Sequence, residues 1–295
     1  MIGILVRLAP IIFVLLWSTG YIAAKFALPA AEPMTFLAWR YALVFALFAL
    51  VALLWRHPWP RQPIRYLHLS ITGISLHCVG LGGVFIGIDR QIEAGVSALI
   101  MGLQPVLAAL AAAVLMHERL AARQVVGLAL GFAGVALVVG DRLDNGAGTL
   151  SGVAWNLLGM VAVTTGTLYQ KARNQNVNPF TGATIQFAAA ALACVLLSYA
   201  FGEGPSTWSS QVLGALAWSV LVLSIAATML LYWLISQGAV AQVSSLFYLV
   251  PVSAALIAWP LFDEQLSLHA LVGMMITIMG VALVMRAAND TARGS

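Results

Sequence analysis

The chain has 295 residues, of which 62% are hydrophobic and 8% charged. A soluble domain carries about 25% charged residues, so this chain cannot cover a water-facing surface and needs lipid as its solvent. The formal net charge of +4 is distributed as membrane orientation requires, and no nucleic-acid partner is expected.

A helix that crosses a bilayer needs about 20 apolar residues. Ten such runs follow one another: 8–28, 34–55, 66–88, 94–116, 123–140, 150–171, 179–201, 210–235, 242–261 and 267–286. The first carries no small-residue cleavage site and reads as a span rather than a signal peptide. The connections are short and hold breakers, such as Pro29 with Pro33, Pro58 with Pro60, and Asp144-Asn145-Gly146. Lipid offers backbone groups no partner and the alternation of a barrel is absent, so the fold class expected is an all-α membrane protein. Cys78 and Cys194 lie inside apolar runs and read as packing residues, with neither a disulfide framework nor metal-ligand spacing.

With the amino terminus in the cytoplasm, ten basic residues fall inside: Arg7, Arg56, Arg61, Arg65, Arg119, Arg123, Lys171, Arg173, Arg286 and Arg293. Four fall outside or in the outer half: Lys25, Arg40, Arg90 and Arg142. That bias is the positive-inside pattern, and it places both termini in the cytoplasm.

The chain also matches itself. A shift of 146 residues superimposes Thr19-Gly20 on Thr165-Gly166, Lys25 on Lys171, Pro33 on Pro179, Pro105 on Pro251, Glu118 on Glu264 and Gly134 on Gly280. The stretch Val135-Ala136-Leu137-Val138 recurs as Val281-Ala282-Leu283-Val284. One offset kept across both halves marks a duplicated unit. Five spans per unit is an odd number, so the second copy (142–295) enters the membrane upside down relative to the first (1–141). Such inverted repeats build secondary transporters that hold one central site between two mirrored gates.

Polar residues at mid-membrane depth are costly and tend to face a cavity. Trp17 and Tyr21 share a face of the first span, with Lys25 a turn further on. His77 lies near the middle of the third span and is the one central group that titrates near neutrality. Gln104 precedes Pro105, whose ring frees a backbone carbonyl, as Pro251 does in the ninth span; both prolines are candidate gate hinges. Asn156 and Tyr169 in the sixth span, Tyr232 in the eighth, and Ser244 with Tyr248 in the ninth complete the expected lining. Lys25 and Arg40 need partners, and Glu32 between them suggests an outer-gate cluster; either cation could instead attract a substrate carboxylate. Gly83 with Gly87, and Gly127, Gly131 and Gly134 with Gly273 and Gly280, read as close helix contacts.

The run Leu16-Trp17-Ser18-Thr19-Gly20 with Lys25, Pro33, Arg40, Gln104-Pro105 and Glu118-Arg119-Leu120, echoed by Pro251 and Glu264-Gln265-Leu266, resembles the drug/metabolite transporter superfamily and its ten-helix EamA-type exporters. The aromatic content of the expected cavity is similar to that of the YddG-like amino acid exporters. The resemblance implies ATP-independent export of metabolites across the plasma membrane. The small multidrug-resistance relatives use a carboxylate in their first span, whereas residues 8–28 hold none, which argues against cationic drugs and against proton antiport through such a group.

The leading expectation is therefore an alternating-access exporter of small metabolites, amino acids foremost, with a small-molecule substrate, membrane lipid as its surroundings, no cofactor, and a monomer as sufficient unit. Carriage of drugs or nucleotide-sugars is the alternative within transport, and a channel is a further one. No zinc-protease, nucleophile-elbow or P-loop motif is present, so an enzyme is not expected.

Overall fold

A computed structural model describes residues 2–116, 122–144, 148–236, 246–264 and 267–294. All described secondary structure is helical. We number ten helices. They are α1 (Ile2–Ala27), α2 (Pro33–Leu54), α3 (Pro63–Asp89), α4 (Ala94–Gly102 continued by Gln104–Met116) and α5 (Ala122–Asp144). The second half holds α6 (Leu150–Arg173), α7 (Pro179–Phe201), α8 (Ser210–Ala217, Trp218–Ala227 and Thr228–Ser236), α9 (Phe247–Leu249 and Val250–Phe262) and α10 (Leu268–Gly294). Among the described residues, seven helical stretches are long and apolar enough to cross a membrane, and the shorter apolar stretches Val250–Phe262 and Leu268–Val284 add to them. Large apolar side chains such as Leu53, Leu196, Trp259 and Met275 stand exposed along the outer faces, as a lipid-facing surface demands.

The two halves pack as images of each other. Helix α2 lies along α7, α5 along α10, and α4 crosses α9. The remaining contacts between halves come in exchanged pairs: α1 with α8 mirrors α6 with α3, and α1 with α9 mirrors α6 with α4. The α5–α10 seam shows why the glycines recur. A Cβ on Gly127 would lie 2.6 Å from the Gly280 carbonyl oxygen, and one on Gly280 the same distance from that of Gly127, so neither backbone could approach as closely with a side chain present.

The irregularities repeat as well. Residues Ile74–Leu81 of α3 and Trp218–Ala227 of α8 are π-helical, and a 146-residue shift carries 74–81 onto 220–227. Helix α4 breaks at Leu103, just before Pro105, and α9 opens with a 3-10 turn that includes Leu249, the counterpart of Leu103, before Pro251. These breaks meet where α4 crosses α9: a Cβ on Gly102 would sit 3.3 Å from the Pro251 ring. Cys78 and Cys194 are free, buried thiols in contact between α3 and α7, as packing residues should be.

Candidate functional site

One end of the bundle is locked by charge. The Lys25 ammonium, at the last turn of α1, pairs with the Glu264 carboxylate just beyond α9. Glu264 is 5% exposed and also accepts the backbone N–H of Ala94, 3.0 Å away at the start of α4. A carboxylate at that position faces the positive end of the helix dipole. Beside this pair, Arg142 of α5 lies 3.0 Å from Glu93. Asp141 accepts a 2.5 Å hydrogen bond from Ser267 and has His269 of α10 at 3.6 Å. The Lys25 ammonium sits over the Phe262 ring at 5.0 Å, and Phe26 packs on that same ring at 4.9 Å. Five helix ends, those of α1, α4, α5, α9 and α10, are thus joined. Burial pushes the Glu93 carboxyl up to about 7; Arg142 pulls it back, while Glu264 raises it further.

This corrects the expected outer cluster. Lys25 does not join Arg40, and among the described residues Glu32 pairs with neither cation, because α9 brings Glu264 to Lys25 and α8 brings Ser224 to Arg40. The backbone N–H of Glu32 bonds Ser206, and Glu203 caps α2 by accepting the N–H groups of Met34 at 2.7 Å and Thr35 at 2.8 Å.

Arg40 goes deeper. It lies seven residues inside α2, about 10 Å from the helix start, and is 8% exposed. Its Nη2 donates to Ser224 in the π segment of α8 at 3.4 Å, while its Nε has no hydrogen-bond partner. Among the described residues no carboxylate pairs with it. The Ser219 hydroxyl of the same π segment is likewise buried without a partner. Next to Arg40, Tyr41 stacks on Phe187 at 5.8 Å and donates to the His77 carbonyl at 3.0 Å, and the His77 ring stacks on Phe187 at 4.4 Å. Gln186 interacts with the His77 side chain. Gln186 is the repeat counterpart of Arg40, and Ser224 that of Cys78, so each second helix reaches across to the π segment of the opposite half. π turns widen a helix by one residue and recur at functional sites.

The other expected residues divide. Trp17 forms an aromatic triad with Phe13 and Phe247, all centroids 5.3 Å apart, at the α1–α9 contact. Tyr21 packs between the α1 and α9 clusters, partly buried. Gln104 reaches Thr167 of α6 at 3.5 Å. Tyr169 bonds His68 at 2.6 Å, at the end opposite the charged lock. Asn156 is fully buried: it accepts from Ser97 and donates to the Gly152 carbonyl at 3.2 Å. It is a knot between α4 and α6, with its amide spent on the protein itself, and so it does not line an open surface. Pro105 and Pro251 sit at the helix breaks described above. Ser244 and the side chains of Tyr232 and Tyr248 lie outside the described residues, as does Glu118.

Sequence reasoning missed Glu264 as the partner of Lys25, although the repeat had already paired it with Glu118. It also missed Trp218, whose indole N–H donates to Thr19 at 2.9 Å across α8 and α1, and the roles of Gln186 and Ser224, which the 146-residue offset could have found.

The EamA-like transporter family pattern matches residues 2–140 and 150–286, once per half. The chain belongs to the EamA-like transporter family. Its relatives include an uncharacterized transporter of Archaeoglobus fulgidus, 25% identical over 280 residues that cover 92% of this chain and 95% of the relative. The uncharacterized transporter YvbV of Bacillus subtilis is 26% identical over 281 residues, covering 92% and 88%. The uncharacterized inner membrane transporter YedA of Escherichia coli K12 is 27% identical over 279 residues, covering 92% and 87%. A protein of known crystal structure shares the fold, with a TM-score of 0.64, 21% identity and coverage of 96% and 97% of the two chains. As an EamA-like protein, this chain is a multi-pass membrane transporter built from two five-helix repeats.

Proposed function

We propose that this EamA-like transporter exports small metabolites bearing a carboxylate, amino acids with neutral or aromatic side chains foremost, by alternating access across a bacterial inner membrane with both termini in the cytoplasm. The observation that carries this is Arg40: a buried guanidinium with donor capacity unspent, flanked by Tyr41, His77 and Phe187. A guanidinium binds a carboxylate through two parallel hydrogen bonds, and the aromatic faces suit an apolar side chain. A multiply charged ligand such as a nucleotide-sugar would need several such cations, and Arg40 has none beside it among the described residues.

On the proposed orientation the Lys25 lock closes the outer end. Its repeat counterpart Lys171 is exposed; Glu118, the counterpart of Glu264, lies outside the described residues. Arg40, Tyr41 and His77 would hold the substrate, with Trp17, Tyr21 and Gln104 along the path. The test is uptake of a labelled amino acid panel into proteoliposomes. Arg40→Gln should abolish uptake of carboxylate substrates while their methyl esters compete equally poorly in both proteins. Trp17→Ala and His77→Ala should impair transport with the protein still inserted. Unchanged kinetics in Arg40→Gln would overturn the assignment. Counterflow separates carrier from channel, since only a carrier shows trans-stimulation.

A further inference from the structure

Away from the transport site, α2, α3 and α7 leave between them an open lateral groove of about 500 Å³. Its lining is graded. Trp59, Tyr66, Ser70 and Thr184 stand at one end, and Phe45 and Leu196 at the other. Thr184 and Leu196 are twelve residues apart on α7, a rise of about 18 Å, close to the roughly 15 Å hydrocarbon depth of a single leaflet. The groove therefore starts near a headgroup level, passes the middle of the 23-residue α7, and is polar at its start and apolar beyond, the polarity profile of one lipid molecule.

The polar end is strongly basic. Trp59 lies in the connection 55–62 between two exposed arginines, Arg56 and Arg61, and Tyr66 follows Arg65 at the start of α3. Arg65 donates to the Gln175 carbonyl at 3.4 Å and to Gln62 at 3.5 Å, which fixes its head beside the neighbouring connection that carries Lys171 and Arg173. Neither segment, 54–67 nor 169–178, contains an acidic residue. A juxtamembrane cluster of this kind attracts anionic headgroups.

From the match of groove length, polarity gradient and charge, we infer that this groove is a binding site for an anionic phospholipid, one acyl chain lying along α7 and the phosphate held by Arg56, Arg61 and Arg65. On the proposed orientation it lies in the inner leaflet; the groove and its charge stand independently of the transport reading.

The experiment is native mass spectrometry of the full-length protein released from bilayer discs made of equal parts phosphatidylglycerol and phosphatidylcholine. The wild-type protein should retain phosphatidylglycerol in several-fold excess. Combined R56Q/R61Q/R65Q should erase that preference. A189W, which fills the groove without touching the charge, should reduce retention of both lipids. Excess inorganic phosphate should not displace the bound lipid. Equal retention of the two lipids by the wild-type protein would mean an unselective lipid shell and overturn the proposal. Undiminished phosphatidylglycerol in both variants, or its displacement by phosphate alone, would do the same.

Discussion

At the scale of single residues, two cations in consecutive helices, one half-buried and one buried, have different surroundings. Lys25 is neutralised by Glu264, whose carboxylate is almost fully shielded. Removing the lysine strands that charge. Lys25→Met should destabilise the protein by about 2 kcal/mol, less than a fully buried pair because the lysine is partly exposed. Lys25→Met with Glu264→Gln should recover most of the loss, which thermal unfolding in detergent would reveal. Arg40 has no carboxylate beside it among the described residues, and on the proposed function it is held for the substrate carboxylate. Glu93 offers a pH signal. Its carboxyl ordinarily titrates at 4.5 and in the closed end is pushed up to about 7, chiefly by burial. The closed end therefore binds a proton that a solvated Glu93 would release. Closure is strongest below the ordinary value and weakens as pH rises through about 7. Spin labels on the α1–α2 and α9–α10 connections should show a shorter distance at acidic than at alkaline pH, and Glu93→Gln should remove the dependence.

The helices themselves are the part most legible in the sequence. Run length and short connections place most of the helices to within a few residues, since lipid imposes a minimum span and leaves the backbone no other option; α1 begins six residues earlier and α10 runs eight residues further than the apolar runs, and the start of the ninth run lies outside the described residues. The prolines mark the α4 and α9 breaks for a similarly local reason, a missing donor. The π segments are not legible, because one extra residue in a turn of small and apolar side chains alters no pattern that periodicity can detect. Nor is the partner of Lys25: Glu264 is 239 residues away, and chain proximity pointed to Glu32 instead. Asn156 looked like a ligand group because a buried amide is costly; the structure meets that cost with Ser97 and Gly152. Helix seams yield a prediction of their own. Gly134→Leu would drive a side chain into the Gly273 carbonyl and Thr277. Such overpacking costs about 1–3 kcal/mol, so the variant should show a lowered thermal midpoint, whereas Gly140→Leu, where nothing lies within 4 Å, should behave as wild type.

Across the whole molecule, the duplication accounts for more than the count of helices. Contacts between halves, the π segments, the proline breaks and the glycine seam all recur under one offset, so the two ends of the bundle are built from the same parts. One end is drawn shut through Lys25 and Glu264, while Lys171, the counterpart of Lys25, stands exposed at the other. On the proposed function the ends would exchange roles by rocking about the α4–α9 crossing, with the breaks at Leu103 and Leu249 supplying the bend. On that same proposal the charged lock serves alternation rather than a permanently open pore. The direct measurement joins cysteines at positions 25 and 264 by a bifunctional thiol reagent, with Cys78 and Cys194 replaced by serine, and follows transport in proteoliposomes. The account predicts that the untreated pair variant transports, that cross-linking stops it, and that cleaving the linker restores it. Transport continuing at full rate with that end of the bundle tied shut would contradict it.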